Sequence, residues 1–244
     1  MNIISGASRQ VILDTETTGM NQAGGPIYIG HRIIEIGCVE VIDRKLTGRT
    51  YHQYINPGQM IDPEAIEVHG ITDERVAKEP RFHQIAQEFI DFIDGAEIVA
   101  HNAPFDVSFM DLEFSQLRPQ GPKTADICAI LDSLDIAKYL HPGQKNNLDA
   151  LSKRYGIDTS RRTYHGALLD AEILADVYLV MTGGQIGFNL SNEKAGQEAG
   201  GIQLIDQNAF NLKVIQATAD ELVSHDQRLD LVLKSGSCIW RDEA

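Results

Sequence analysis

The sequence contains few cysteines and no long apolar run. It has 244 residues, and its three cysteines, Cys38, Cys128 and Cys238, lie far apart without a CxxC pair. Because an odd number of cysteines cannot all pair within one chain, we expect a reduced, intracellular protein. The N-terminal stretch lacks the basic and apolar regions of a secretory signal, and no apolar run reaches the roughly 18 residues that a membrane span requires. The sequence therefore predicts a soluble protein that is neither exported nor membrane-spanning.

Basic residues are also scarce. The 21 Lys and Arg residues face 35 Asp and Glu residues, which gives a formal net charge of −14. Clustered basic side chains are needed to neutralise phosphates, so this balance excludes a protein held tightly on nucleic acid by a broadly basic surface. The hydrophobic fraction of 43% and the charged fraction of 23% are ordinary for a globular protein with a sizeable core. The composition leaves open whether some of the excess carboxylates are gathered for chemistry.

The first three quarters of the chain alternate between apolar segments of strand and helix type. Three strands at 9–14, 32–42 and 50–56 follow one another without room for a helix, which favours antiparallel pairing. A fourth strand is expected at 97–102 and a fifth near 124–127. Helices are expected at 81–93, 104–117, 130–140, 148–155 and 166–181. This order predicts an α/β fold, with a mixed five-stranded sheet flanked by helices.

The composition changes abruptly after the last of these helices. Residues 183–201 are rich in glycine and polar side chains, which is typical of a flexible tether. Residues 202–244 regain apolar content, but they are too few to form an independent core. We therefore predict a domain at 1–182, a tether at 183–201 and a segment at 202–244 that orders on a partner.

Two carboxylates end the first predicted strand in the motif DTETTG. Asp14 and Glu16 are two residues apart, so the alternation of a strand points both side chains to the same side. Taken alone, Asp-x-Glu on a strand is more often a solvated sheet edge. The apolar run VIL before Asp14 instead indicates a buried strand, where carboxylates are costly unless a positive charge compensates them.

Three further candidates lie at the starts of helices. Asp106 in HNAPFD falls in a first helical turn, where the helix dipole alone would also explain a carboxylate. Asp170 in HGALLD lies in a helix that is apolar over most of its circumference, so its carboxylate needs a partner such as a metal ion. His165 is five residues earlier, about 140° round an ideal helix from Asp170. We therefore place His165 on the loop that enters the helix, above Asp170.

Together, DTETTG, HNAPFD and HGALLD resemble the histidine-containing branch of the DEDD 3′→5′ exonucleases, whose fold is ribonuclease H-like. Their order, spacing and strand or helix context all agree with that branch. Within it, the stretches IIEIG (33–37), DPEAIEVHGI (62–71) and RTYHGALLDAEILADVYL (162–179) are similar to those of the epsilon proofreading subunits of bacterial DNA polymerase III. The resemblance covers nearly the whole chain and weakens through the tether.

The resemblance implies a set of site residues. Two divalent cations, Mg²⁺ or Mn²⁺, would be bound by Asp14, Glu16, Asp106 and Asp170, since hard cations prefer carboxylate oxygens. His165 would be the general base, so the catalytic set is these four carboxylates and His165. The residues expected at the substrate are Asp14, Glu16, Thr17, Thr18, Glu64, His69 and Asp170. The alternative for His69 is a helix C-terminal histidine beside Gly70, stabilised by the helix dipole.

The resemblance also implies a function and partners. It predicts removal of mismatched nucleotides from single-stranded or frayed DNA 3′ ends, as the proofreading subunit of the replicative polymerase in the bacterial cytoplasm. The expected partners are the polymerase (alpha) subunit through 202–244, the sliding clamp through QIGFNL, which begins at Gln185 and ends at Leu190, and a small theta-like accessory subunit on the nuclease domain.

Two alternatives remain at this stage. A free-standing DEDD exonuclease acting on RNA ends is disfavoured by the long tail, and a non-catalytic polymerase and clamp adaptor is disfavoured by the intact acidic set. The net acidity argues against tight autonomous DNA binding, so we expect an enzyme that a polymerase brings to its DNA.

Overall fold

A mixed five-stranded sheet forms the centre of the structure, a computed structural model that describes residues 7–117, 121–160, 164–183, 217–236 and 240. The strands are β1 (Arg9–Thr17), β2 (Ile33–Ile42), β3 (Lys45–Tyr54), β4 (Glu97–Ala100) and β5 (Ala129–Asp132). They are arranged in the order β3-β2-β1-β4-β5, with antiparallel pairs β1–β2 and β2–β3 and parallel pairs β1–β4 and β4–β5. The predicted meander and mixed sheet are confirmed.

Eight helices of the described residues accompany this sheet. They are α1 (Pro63–His69), α2 (Asp73–Val76), α3 (Phe82–Ile93), α4 (Ala103–Ser115), α5 (Thr124–Ile127), α6 (Ser133–Leu140), α7 (Leu148–Tyr155) and α8 (Ala167–Thr182). Neither α1 nor α2 is among the predicted helices, although the alternative given for His69 places a helix end beside Gly70. The signals for α1 are a proline in its first turn and Gly70 at its end, in the left-handed conformation with φ 71°.

The alternation of side chains along β1 separates the core into two layers. Val11 and Leu13 belong to the layer that contains the aromatic side chains of α3 and α4, whereas Ile12 belongs to the layer that contains α8. Because side chains two apart share a face, Asp14 and Glu16 continue the series of Ile12 toward α8. The position of the site thus follows from the register of one central strand.

The prediction of the fifth strand is wrong by five residues. Residues 124–127 form the helical turn α5, and the strand follows at Ala129–Asp132. Asp111 on α4 accepts hydrogen bonds from the backbone N–H and the hydroxyl of Thr124, both at 2.7 Å, and Asp126 accepts one from the N–H of Lys123 at 3.0 Å. These bonds close a helical turn where the sequence alone suggests an extended segment.

The start of α6 also differs from the prediction. The helix begins at Ser133 rather than near residue 130, because the Asp132 side chain caps it by accepting a hydrogen bond from the N–H of Leu134 at 2.9 Å. Residues 129–132 are thereby left free to pair with β4.

The C-terminal unit is described at 217–236 and 240, where it forms helix α9 (Ala219–Ser235). Thr218 and Glu221 form a capping box at its start. Its apolar side chains include Leu222, Val223 and Leu231, which are all more than half exposed. The predicted clamp peptide lies outside the described residues, as does nearly all of the predicted tether. No described helix has the length and apolar character needed to cross a membrane.

Candidate active site

The end of β1 carries the first two candidate residues. Asp14 lies opposite Gly37 and Glu16 lies opposite Glu35 in the pairing of β1 with β2. Both carboxylates are partly buried, whereas Thr15 between them is buried. The pairing shifts register between Glu16 and Thr17, so the regular ladder ends directly after the second carboxylate.

Helix α8 and the loop before it supply the next two candidates. The helix is capped by Gly166 and carries Asp170 in its first turn, so His165 precedes the helix as predicted. The imidazole Nδ1 of His165 lies 2.9 Å from Oδ2 of Asp170. The backbone N–H of His165 donates to the carbonyl of Val68 at 3.3 Å, which ties this loop to α1.

These elements bring Glu16, His165 and Asp170 together. One donor atom from each lies within 4.8 Å of the others, and no other group of three or more potential ligands of this kind is found within the described ranges. Asp170 is 3% exposed, and its Oδ1 is buried and accepts no hydrogen bond. A buried carboxylate oxygen without such a bond is costly, and a divalent cation satisfies it. The residues therefore fit a divalent metal ion.

Asp106 lies on the other face of β1 and is not part of this cluster. It is 3% exposed in the first turn of α4, and its Oδ1 accepts a hydrogen bond from the Thr15 hydroxyl at 2.7 Å. Burial raises the pKa of Asp106 to about 7. Burial raises the pKa of the Cys38 thiol as well, and the charges of Asp106 and Asp14 raise it further.

The two threonines predicted at the substrate both form hydrogen bonds within the protein. The hydroxyl of Thr17 donates to the carbonyl of Gly19 at 2.9 Å. Thr18 is fully buried, and its hydroxyl accepts hydrogen bonds from the N–H of Arg32 at 3.1 Å and from Nε2 of Gln59 at 3.2 Å. A contact between the Thr18 hydroxyl and a substrate would require this loop to move.

The other two predicted substrate residues lie on α1. Glu64 is in its first turn, and it lines a surface cavity together with Met20 and His31. His69 is the last residue of α1, its Nδ1 accepts the N–H of Ile71 at 3.0 Å, and burial lowers its pKa. Dipole stabilisation requires a charged imidazole, which burial disfavours. Its buried Nε2 forms no hydrogen bond of normal geometry and is the protonated nitrogen of the neutral ring, and the backbone of Thr17 interacts with this ring.

Comparison with known proteins decides the family. Residues 11–178 match the family described as Exonuclease. The chain belongs to the exonuclease family.

The exonuclease is similar to named relatives over nearly its full length. It is 54% identical over 238 residues to the DNA polymerase III subunit epsilon of Escherichia coli (strain K12), covering 96% of this chain and 98% of the relative. It is 53% identical over 246 residues to the same subunit of Haemophilus influenzae, covering 96% and 94% of the two chains. The resemblance to the epsilon subunits is thus confirmed.

Solved structures agree with this assignment. Exonuclease X in complex with 5′ overhanging duplex DNA is 28% identical with a TM-score of 0.53, covering 71% of this chain and 91% of that chain. The nuclease domain of 3′hExo, a DEDDh family member bound to rAMP, is 22% identical with a TM-score of 0.59, covering 73% and 94%. The ribonuclease H-like fold is confirmed, and exonucleases of the DEDD type use divalent metal ions.

Gly37 of the exonuclease is not among the residues predicted from the sequence, but the packing of the site depends on it. A Cβ atom at Gly37 would lie 2.2 Å from the carbonyl carbon of Ala167 and from the nitrogen of Leu168. The backbone of α8 therefore lies directly against β2 at this glycine. A glycine inside a strand is the available signal for such a close approach, although it does not reveal which element approaches.

Proposed function

We propose that this exonuclease removes mismatched nucleotides from DNA 3′ ends, using divalent metal ions, as the proofreading subunit of a bacterial replicative DNA polymerase. The observation that carries the proposal is the cluster of Glu16, His165 and Asp170 at the end of β1. The near full-length similarity to DNA polymerase III epsilon subunits supports the choice of DNA and of the polymerase.

The carboxylates are assigned to metal binding. Two Mg²⁺ or Mn²⁺ ions, when bound, supply charge stabilisation at the attacking and leaving oxygens of the phosphodiester. Glu16 and Asp170 contribute ligand oxygens from β1 and α8, and Asp14 contributes one from the same face of β1. Asp106 approaches β1 from α4 on the opposite face, and we assign it the role of a supporting ligand, in part through water.

His165 is assigned the general base. Its Nδ1 lies against the Asp170 carboxylate and is therefore the protonated nitrogen of the neutral ring, so Nε2 is an acceptor. The side chain is 44% exposed, which lets water reach Nε2. A base that takes a proton from the attacking water needs this combination of an oriented ring and an acceptor nitrogen that water can reach.

Glu64 and His69 are assigned to the terminal sugar. The buried Nε2–H of His69 is a donor for a ligand oxygen, and the carboxylate of Glu64 is an acceptor for a hydroxyl. Thr17 ends β1 and Thr18 follows it, and their hydrogen bonds fix the backbone that we assign to the terminal nucleotide.

The partner assignments are based on the C-terminal unit and on the net negative charge of the chain. Residues 202–244 are proposed to bind the polymerase (alpha) subunit, and the exposed apolar side chains of α9 offer surface for such a contact. We assign residues 185–190 to the sliding clamp, the nuclease domain to a theta-like accessory subunit, and the protein to the cytoplasmic replisome. The net charge of −14 disfavours tight binding to DNA without these partners.

The test is release of 5′-mononucleotides from matched and mismatched primer termini and from short RNAs, with and without excess chelator. We expect metal-dependent release that is faster from the mismatched DNA terminus. Asp176 is exposed on the same helix as Asp170, so Asp176→Asn is the matched control for Asp170→Asn. Full activity in chelator would refute the metal assignment, and a preference for RNA ends would refute the proofreading assignment.

A further inference from the structure

A third carboxylate lies beside the cation cluster and has no role in the scheme above. Glu35 on β2 is 2% exposed and is the direct partner of Glu16 in the pairing of β1 with β2. Side chains at such opposed positions on one face have Cβ atoms about 5 Å apart, and like charges there repel. The structure must therefore hold Glu35 by other contacts.

Three groups bond to the Glu35 carboxylate, namely the backbone N–H of Ala167, the imidazole of His52 and the hydroxyl of Tyr54. Oε2 accepts a hydrogen bond from the backbone N–H of Ala167 at 3.1 Å, and Oε1 lies 2.6 Å from Nε2 of His52. Ala167 is the first residue of α8, and the capping residue Gly166 has no side chain with which to bond the free N–H groups of the first turn. Glu35 on β2 thus caps the N-terminus of α8, as an N-cap side chain would do.

The hydrogen bond between Glu35 and Ala167 connects the part of the cluster on β1 with the part at the start of α8. His165 comes two residues before Ala167 and Asp170 comes three residues after it, while Glu16 lies on the strand next to Glu35. We propose that Glu35 is a positioning residue of the active site, which sets the geometry of the cation ligands by holding the start of α8 to β2. The inference rests on the proposed function in that the cluster is taken to be the cation site.

The partners of the other buried glutamates support this role. Glu40 on the same strand is bonded by Arg9 at 2.8 Å, and Glu113 on α4 is bonded by Arg32 at 2.7 Å. Glu35 instead bonds to an imidazole, a tyrosine hydroxyl and a helix N-terminus, and Arg75 interacts with it through its charge. An arginine beside Glu16 would compete with a divalent cation for its carboxylate, whereas a backbone N–H satisfies Glu35 without a full positive charge.

The test compares Glu35→Ala with Glu40→Ala in the full chain. Both changes remove a buried carboxylate from β2, but only Glu35 touches α8. For Glu35→Ala in metal-free protein we expect amide hydrogen exchange at Ala167 to be faster by on the order of ten-fold. The Mn²⁺ dissociation constant should rise by roughly ten-fold or more, with a fall in kcat and little change in KM.

Glu40→Ala should lower thermal stability and leave the exchange at Ala167, Mn²⁺ affinity and kcat near wild type. Equal losses of Mn²⁺ affinity in the two variants would overturn the inference, as would unchanged exchange at Ala167 in Glu35→Ala. If the wild type binds no Mn²⁺ at all, the proposed function fails, while exchange in the metal-free protein still decides whether Glu35 anchors α8.

Two conservative variants cover the case in which Glu35→Ala does not fold. Glu35→Gln keeps an acceptor oxygen at the same reach, whereas Glu35→Asp keeps the charge but shortens the side chain by one methylene. The inference predicts that Glu35→Gln restores most of the Mn²⁺ affinity and kcat and that Glu35→Asp does not. The reverse order would show that charge rather than the bond to α8 matters, and it would overturn the inference.

Discussion

Replacing Gly37 by alanine tests how tightly the cation site depends on the seating of α8. The added methyl carbon would lie 2.2 Å from the Ala167 carbonyl carbon and 2.4 Å from its oxygen. Non-bonded carbon atoms need about 3.5 Å or more, so the start of α8 must move away from β2 by roughly 1.3 Å. Gly37 does not adopt a positive φ, so the effect of the substitution is steric and not a backbone strain.

The displacement reaches Asp170, which lies in the first turn of α8, and His165, which lies just before it. A misplacement of about 1 Å costs on the order of 100-fold in rate, and overpacking a core costs about 1 to 3 kcal/mol of stability. We therefore expect Gly37→Ala to fold, to lose about 100-fold in kcat on a single-stranded DNA 3′ end, and to unfold at a lower temperature.

The assay measures kcat at saturating Mg²⁺, together with the Mn²⁺ dissociation constant and thermal unfolding. Gly166→Ala is the control, because a methyl group there meets no atom within 4 Å and its φ of −158° suits any residue. A wild-type rate and stability for Gly37→Ala would refute the reasoning, and so would equal losses in the two variants.

Four further predictions concern the proposed residues and segments. Asp170→Asn should abolish Mg²⁺-dependent hydrolysis while Asp176→Asn retains it, as measured by mononucleotide release. His165→Ala should lower kcat by about 10² to 10⁴-fold with little change in Mn²⁺ affinity; a loss of affinity equal to that of Asp170→Asn would contradict its role as base. The pKa of Asp106 is about 7 in the folded protein, above its ordinary value of 3.8. The protonated carboxyl therefore contributes stability that is fully present below pH 3.8 and is lost as the pH rises to 7. In chelator, the free energy of unfolding of Asp106→Asn should therefore increase relative to that of the wild type by up to about 4 kcal/mol as the pH rises over this range. Denaturant titrations measure this difference, and a difference that does not change with pH would contradict the reasoning. Truncation after Thr182 should spare hydrolysis and abolish co-purification with the polymerase, and retained co-purification would place the contact on the nuclease domain.

The elements that carry the site residues were predictable because their signals are local. The apolar run before Asp14 and the two-residue alternation indicate a buried strand with both carboxylates on one side. The helical angle between His165 and Asp170 excludes a shared helix face, and the structure indeed begins α8 after His165. By contrast, α5 depends on the bond that Asp111 makes to Thr124 across 13 residues, which no local pattern reveals.

The supports of the site were not predictable for the same reason. Glu35 and Ala167 are 132 residues apart in the sequence and meet only when α8 packs on β2. Gly37 carries a local signal, a glycine inside a strand, but the element that fills the space beside it is set by the whole fold. The sequence thus indicates which side chains do chemistry more readily than which side chains hold them in place.

The chain order of these elements has a consequence for incomplete copies of the protein. Glu16 lies on the first strand, but Asp170 lies on the last helix of the nuclease domain and His165 lies on the loop before that helix. A fragment that stops before His165, whether still on the ribosome or produced by a premature stop codon, lacks two of the three residues of the cation cluster and also the helix that covers one face of β1. We therefore expect such fragments to have no nuclease activity.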